Sequence, residues 1–176
     1  QKPYMKPNDK WLPYGFAPDW HKRTTLPWHK REIDVALVGL PYPERQRFMN
    51  MMSTQGFNVY MENGPAYRDA WEIYNNAKIG LNLSSRQDTT ARCFELMAMG
   101  VCPLLNVVPD LVEMFEVDKD FIGFTTVEDG VHQAINILRD PERLDQIARR
   151  AADIVREGNH SWDDRMETVL KDAGLL

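Results

Sequence analysis

Apolar and polar positions change period along the chain, and each change marks an element. Ile33, Asp34, Val35, Ala36, Leu37, Val38 and Gly39 form a short, nearly continuous apolar run closed by glycine. Such a run suits a strand covered on both faces. In residues 44–55 the apolar Phe48, Met49, Met51 and Met52 recur at near-helical spacing, and Gly56 closes the segment, which predicts a helix. The alternation then repeats. Residues 57–61, 79–83, 101–105 and 121–124 read as further strands, and 67–77, 90–99, 127–139, 140–157 and 161–173 as helices. Ala70, Trp71, Tyr74 and Ala77 share one stripe of the 67–77 helix. Asp140 before Pro141 reads as an N-cap followed by a first-position proline. Ser161-Trp162-Asp163-Asp164 reads as the cap of the last helix.

Strands alternating with helices predict an α/β fold, a doubly wound parallel sheet whose crossovers are right-handed. Ligands of such sheets sit at the carboxyl ends of the strands, near the point where strand order reverses. The loops at 39–43, 84–90 and 106–110 are therefore the places to look for chemistry. Residues 1–32 break the rhythm. Pro3, Pro7, Pro13, Pro18 and Pro27 defeat helix and inner-strand pairing, while Trp11, Trp20 and Trp28 predict an arm that packs on something. The domain is then 33–176, with 1–32 as its arm.

Composition narrows the function classes. The 176 residues make one ordinary domain, and 43% hydrophobic with 27% charged residues excludes disorder, collagen and coiled coil. A net charge of −5 argues against a nucleic-acid partner, since phosphate neutralisation needs a basic surface. Cys93 and Cys102 form no CxxC pair and read as buried free thiols, which fits a reducing, cytoplasmic setting. No apolar run approaches the roughly 20 residues of a membrane span, and the polar start QKPYMKPNDKW is no secretory signal. The chain does not begin with Met, which fits a segment of a longer protein. His21, His29, His132 and His160 are scattered and read as ordinary. Arg149 and Arg150 read as a solvated face, and Tyr67, Trp71 and Tyr74 as core. No His cluster or DxD suggests a metal.

The most informative segment is 84–100. It follows a strand and opens a helix that Asp88, Thr89 or Thr90 can cap. The first free N–H groups of that helix would face the crevice as an anion site. Arg92, in the first turn, could hold a phosphate with its fork. Glu95, a turn further in, could accept both hydroxyls of a ribose. Spacing alone is equally served by capping threonines, a surface arginine and an i, i+3 ion pair.

The string Arg92-x-Phe94-Glu95-x-x-Ala98-x-Gly100 resembles a signature of group 1, CgeB-like glycosyltransferases. Residues 11–21 are similar to the linker that precedes the donor domain there, residues 34–39 with Glu44-Arg45 to its first strand and loop, and residues 159–165 to its closing helix. The resemblance implies a GT-B fold, in which this chain is the Rossmann-like, nucleotide-sugar-binding half. It implies donor-binding residues at Glu95 (ribose), Thr89, Thr90, Arg92 and Arg45 (diphosphate), and Gly39. It implies a UDP-, GDP- or dTDP-linked donor, no metal cofactor, and an acceptor-binding domain or chain outside this sequence, which would supply any catalytic base. Relatives carry an acid eight positions before the ribose glutamate, where this sequence has Gln87 beside Asp88. That departure leaves a non-catalytic nucleotide-binding or assembly module as the alternative. A receiver-like domain is disfavoured, because Gly39-Leu40-Pro41 supplies no acidic cluster after the first strand.

Overall fold

The computed structural model describes residues 5–64 and 67–176, with the side chains of 67–69 excepted. Among the described residues five strands, β1 (Ile33–Val38), β2 (Val59–Glu62), β3 (Ala77–Asn82), β4 (Cys102–Asn106) and β5 (Ile122–Phe124), form one sheet. All pairs are parallel, in the order β2-β1-β3-β4-β5. Among the described residues seven α-helices connect and close it: α1 (Pro43–Thr54), α2 (Tyr67–Asn75), α3 (Ala91–Met99), α4 (Pro109–Val112), α5 (Val127–Leu138), α6 (Pro141–Glu157) and α7 (Trp162–Asp172).

The strand runs are apolar because both faces are covered. Val35, Leu37, Ile79, Leu81, Cys102 and Leu104 face one core, against Phe48, Met49 and Met52 of α1 and Val131, Ala134 and Ile137 of α5. The alternate positions Ala36, Val38, Ala77 and Leu105 face the other core, against Tyr74 of α2 and Phe94, Met97 and Ala98 of α3. The α6 helix serves both cores, through Leu144, Ile147 and Ala148 on one side and Ala151 and Val155 on the other. Gly80 lets α3 approach the sheet, since a Cβ there would lie 2.3 Å from a Leu96 methyl.

The structure moves some predicted boundaries. Ala77, expected on the second helix, opens β3 and pairs with Ile33 instead. The 106–110 loop contains the start of α4, a four-residue helix too short to show a period. Thr90 lies outside α3 as its N-cap, but its side chain makes no capping bond. The expected caps of α6 and α7 are present: Asp140 accepts from the Arg143 N–H, and Ser161 with Asp164 forms a capping box.

The arm is anchored at three levels. Phe16 is buried and bridges to Ser161, its N–H donating to His160 O at 3.2 Å. The Thr24 N–H donates to Met99 O at 2.9 Å. Buried Arg31 donates to Leu26 O, Ala77 O and Gly100 O under the amino ends of the strands. Arg149 and Arg150 lie on an exposed face of α6, as expected. From there Arg150 Nε donates to the buried carboxylate of Asp120 at 2.6 Å, since a carboxylate out of water needs a charged partner. Both cysteines are free and buried, and burial pushes the thiols up to about 11 for Cys93 and about 12 for Cys102.

Candidate functional site

Strand order reverses between β1 and β3, so the crevice at their carboxyl ends is where this topology holds ligands. The end of β1 is fixed by side chains. The Val38 N–H donates to the Tyr74 hydroxyl at 2.9 Å, and Val38 O accepts from Arg92 Nη2 at 2.5 Å. Tyr74 is thus a core residue, as expected, with its hydroxyl spent on the strand end. Trp71 is half-buried, and the Tyr67 side chain lies outside the described residues.

The end of β3 carries Asn82, 1% exposed. Its Oδ1 accepts from Thr90 Oγ1 at 3.0 Å and faces Arg92 Nη1 at 3.4 Å, while Nδ2 faces Cys93 Sγ at 3.4 Å. The first turn of α3 is therefore clasped to β3 by one buried amide. Sequence reading passed over Asn82, although a polar residue inside an apolar strand run was the available signal.

Arg45, on α1, is buried and tied down by donating from Nε to Leu83 O at 2.9 Å and from Nη1 to Leu40 O at 3.0 Å. Both guanidinium groups converge on Gly39, where a Cβ would lie 3.0 Å from Arg92 Nη2 and 3.2 Å from Arg45 Nη1. Gly39 also has φ +154, a conformation other residues rarely adopt. Burial, and then the Arg92 charge, lower the Arg45 pKa. Among the described residues no carboxylate lies within ion-pair distance of either arginine. Two like charges held together with no counter-ion among the described residues leave the electrostatics open to an anion.

The expected site residues fall into two groups. Gly39, Arg45, Arg92 and Thr90 gather at the switch point, and neighbouring Thr89 is 5% exposed with no hydrogen-bond partner for its hydroxyl. Asp88 does not cap α3 but accepts from the Ser84 hydroxyl. Glu95, a turn along α3, faces the arm: its Oε1 lies 3.7 Å from Nε2 of buried His21. Gln87 takes a left-handed backbone, φ 52. Beside the cluster a pocket of about 370 Å³ opens between Tyr42, Ser84, Gln87, Asn106 and Thr126. The loop after β5, which supplies Thr126, was not among those singled out from sequence. Among the described residues no three His, Cys, Asp or Glu side chains gather as a metal site, and no helix is long and apolar enough to cross a membrane.

The 159–165 motif is a clamp. The His160 ring packs against Phe94 and Phe115, 5.6 and 5.2 Å between centroids. Arg165 donates to His160 Nδ1 at 2.7 Å and to Tyr14 O at 3.3 Å, and sits over the Phe94 ring. The motif thus ties α7 and the arm to the helix that carries Arg92 and Glu95. Burial, and then the Arg165 charge, hold His160 down at about 4. The unfolded chain binds this proton near pH 6.5, so stability is fully present above that value and falls as pH drops towards about 4. Buried His21 is shifted the same way. Urea unfolding is expected to give a lower midpoint at pH 5 than at pH 7.5, and His160→Asn, which places an amide oxygen near the Nδ1 position as an acceptor for Arg165, is expected to flatten that slope.

A Rossmann-like α/β domain with paired arginines and a helix N-terminus at its switch point is the class this geometry defines. The chain belongs to the glycosyl transferase-like family, whose model matches residues 22–171. Solved structures share the fold. HepE of Anabaena, in complex with UDP-glucose, superposes with a TM-score of 0.74 at 12% identity, over 95% of this chain and 57% of that one. Sucrose-phosphate synthase from Thermosynechococcus elongatus gives 0.68 at 13%, over 94% and 52%. A glycosyltransferase from Rickettsia africae gives 0.56 at 14%, over 96% and 52%. The chain spans about half the length of these proteins. No curated protein sequence matches significantly.

Proposed function

We propose that this chain binds a nucleoside diphosphate sugar at the β1/β3 switch point and presents it for glycosyl transfer to an acceptor held by a separate domain or chain. The observation that carries this reading is the convergence of Arg45 and Arg92 on Gly39, with no carboxylate among the described residues within ion-pair distance of either. A diphosphate would occupy that position, with the N-terminus of α3 supplying N–H groups and dipole. Glu95 would accept the ribose hydroxyls, and the neighbouring pocket would take the rest of the nucleotide. As the glycosidic bond breaks, negative charge builds on the leaving diphosphate. Fixed cations and amides stabilise that charge, which is the role a metal would otherwise fill, so the proposal needs no cofactor. The UDP-glucose held by HepE makes a UDP-sugar the first donor to test.

The alternative, a binding module without transfer, is favoured by Gln87 at the position where the family resemblance implies an acid. It keeps the nucleotide and loses only the contact to the donor sugar.

Thermal unfolding with UDP, GDP, dTDP and their sugar adducts tests the reading. A ligand at a hundred times its dissociation constant stabilises by about 2.7 kcal/mol. One base series is expected to raise Tm, and Glu95→Ala to remove most of the rise. No rise with any nucleotide would sink the donor-site reading.

A further inference from the structure

Asn82 ends β3 with a buried amide at the switch point. The amide meets three side chains, all from α3 or its N-cap. Thr90 Oγ1 donates to Oδ1 at 3.0 Å, Arg92 Nη1 donates to Oδ1 at 3.4 Å, and Nδ2 donates to Cys93 Sγ at 3.4 Å. Arg92 decides which way the amide points. A guanidinium only donates, so the atom that faces it is the oxygen. The other side of the same fork is held from β1, where Val38 O accepts from Nη2 at 2.5 Å. The Tyr74 hydroxyl also lies against this guanidinium. The two central strands therefore hold Arg92 between them, and every group that holds it is neutral. The Thr90 hydroxyl lies on Asn82, and no side chain caps the N-terminus of α3.

A carboxylate of the same shape would fit this position. All three neighbours can donate to it: the Thr90 hydroxyl, the Arg92 guanidinium and the Cys93 thiol. Burial pushes that thiol up to about 11, so it keeps its proton at neutral pH. The amide thus differs from an acid here in charge and not in shape or partners. An aspartate would give Arg92 a buried counter-ion and cancel much of the positive charge that Arg92 shares with Arg45 at Gly39.

We propose that Asn82 is a positioning residue for the anion site: it holds Arg92 through a neutral acceptor, which aims the guanidinium at Gly39 and leaves its charge for a diphosphate. Asn82 acts through Arg92 and touches no ligand itself. This rests on the reading that the switch point takes a diphosphate, and the test separates the two.

Calorimetric titrations with inorganic pyrophosphate and with UDP, GDP and dTDP, paired with urea unfolding without ligand, provide that separation. Asn82→Asp is expected to weaken pyrophosphate and the preferred nucleotide by about tenfold or more, because an ion pair replaces a neutral hydrogen bond to Arg92. The urea midpoint is expected to hold. An amide with only a structural role would leave affinity unchanged in this variant, since shape and partners are kept. If Asn82→Asp lowers the midpoint or does not fold, a double-mutant cycle decides. Asn82→Ala is expected to weaken pyrophosphate by about fivefold or more in the wild-type background, and by less than about twofold in the Arg92→Gln background, where the residue it acts through is gone. Affinities of a stably folded Asn82→Asp within about threefold of wild type, or equal losses from Asn82→Ala in both backgrounds, overturn the proposal while the diphosphate reading stands. A wild type that binds none of the four ligands overturns both.

Discussion

A chain carrying Arg45→Gln and Arg92→Gln is expected to lose affinity for inorganic pyrophosphate and for nucleoside diphosphates by about a hundredfold or more. The estimate takes roughly 1.5–3 kcal/mol for each hydrogen bond to a charged group, and two such groups act together. Both arginines are already spent in part on carbonyl oxygens, Arg45 on Leu83 and Leu40 and Arg92 on Val38. Glutamine retains an amide for one such bond, so the strand ends keep a partner while the charge is lost. Without ligand the two cations repel each other, and burial of Arg45 denies it full hydration. The double variant is therefore expected to lose ligand-induced stabilisation more than stability. Isothermal titration with pyrophosphate, paired with urea unfolding without ligand, reads the two effects apart. Affinity within about threefold of wild type would remove the arginine pair from the argument.

Phe94→Ala is expected to cost about 3–5 kcal/mol of folding stability, a large part of the 5–15 kcal/mol typical of a domain. Phe94 is fully buried between Arg92 and Glu95 in the sequence, 5.7 Å from the Phe115 ring and 5.6 Å from that of His160. Its loss opens a cavity under the clamp formed by His160 and Arg165, on the helix that holds both candidate donor contacts. Urea unfolding of Phe94→Ala and Phe94→Leu checks this. The leucine variant is expected to fall between wild type and alanine, because part of the volume is restored. A loss below about 1 kcal/mol for the alanine variant would mean that the clamp does not carry the packing assigned to it.

The inner strands were legible because they are short and largely apolar, and because two-sided burial leaves no polar alternation to confuse with a surface strand; edge strand β2, half-buried and ending in exposed Glu62, is carried by its place in the alternation. The strand ends were less so. Ala77 satisfies the helical stripe of Ala70 and Tyr74 as well as the strand that follows, and only its pairing with Ile33 decides. The short α4 offers no period to detect. In the candidate site the residue types and their spacing on α3 were legible, and the partners were not. Nothing along the chain says that Arg45 and Arg92 meet, since they lie on different helices and converge only when β1 and β3 become neighbours. The pairing of His21 with Glu95 is hidden for the same reason, spanning the arm and α3. The His160 ring reads as an ordinary histidine until the Phe94–Phe115 packing is built around it.

A crystal structure of the chain grown with the nucleoside diphosphate that most raises its Tm tests the central claim most directly. The account predicts the diphosphate between Gly39 and the N-terminus of α3, within reach of Arg45 and Arg92, and the ribose against Glu95. A nucleotide bound elsewhere, such as the groove along α1 lined by Gln46, Asn50 and Val131, with the switch point left empty, would contradict it.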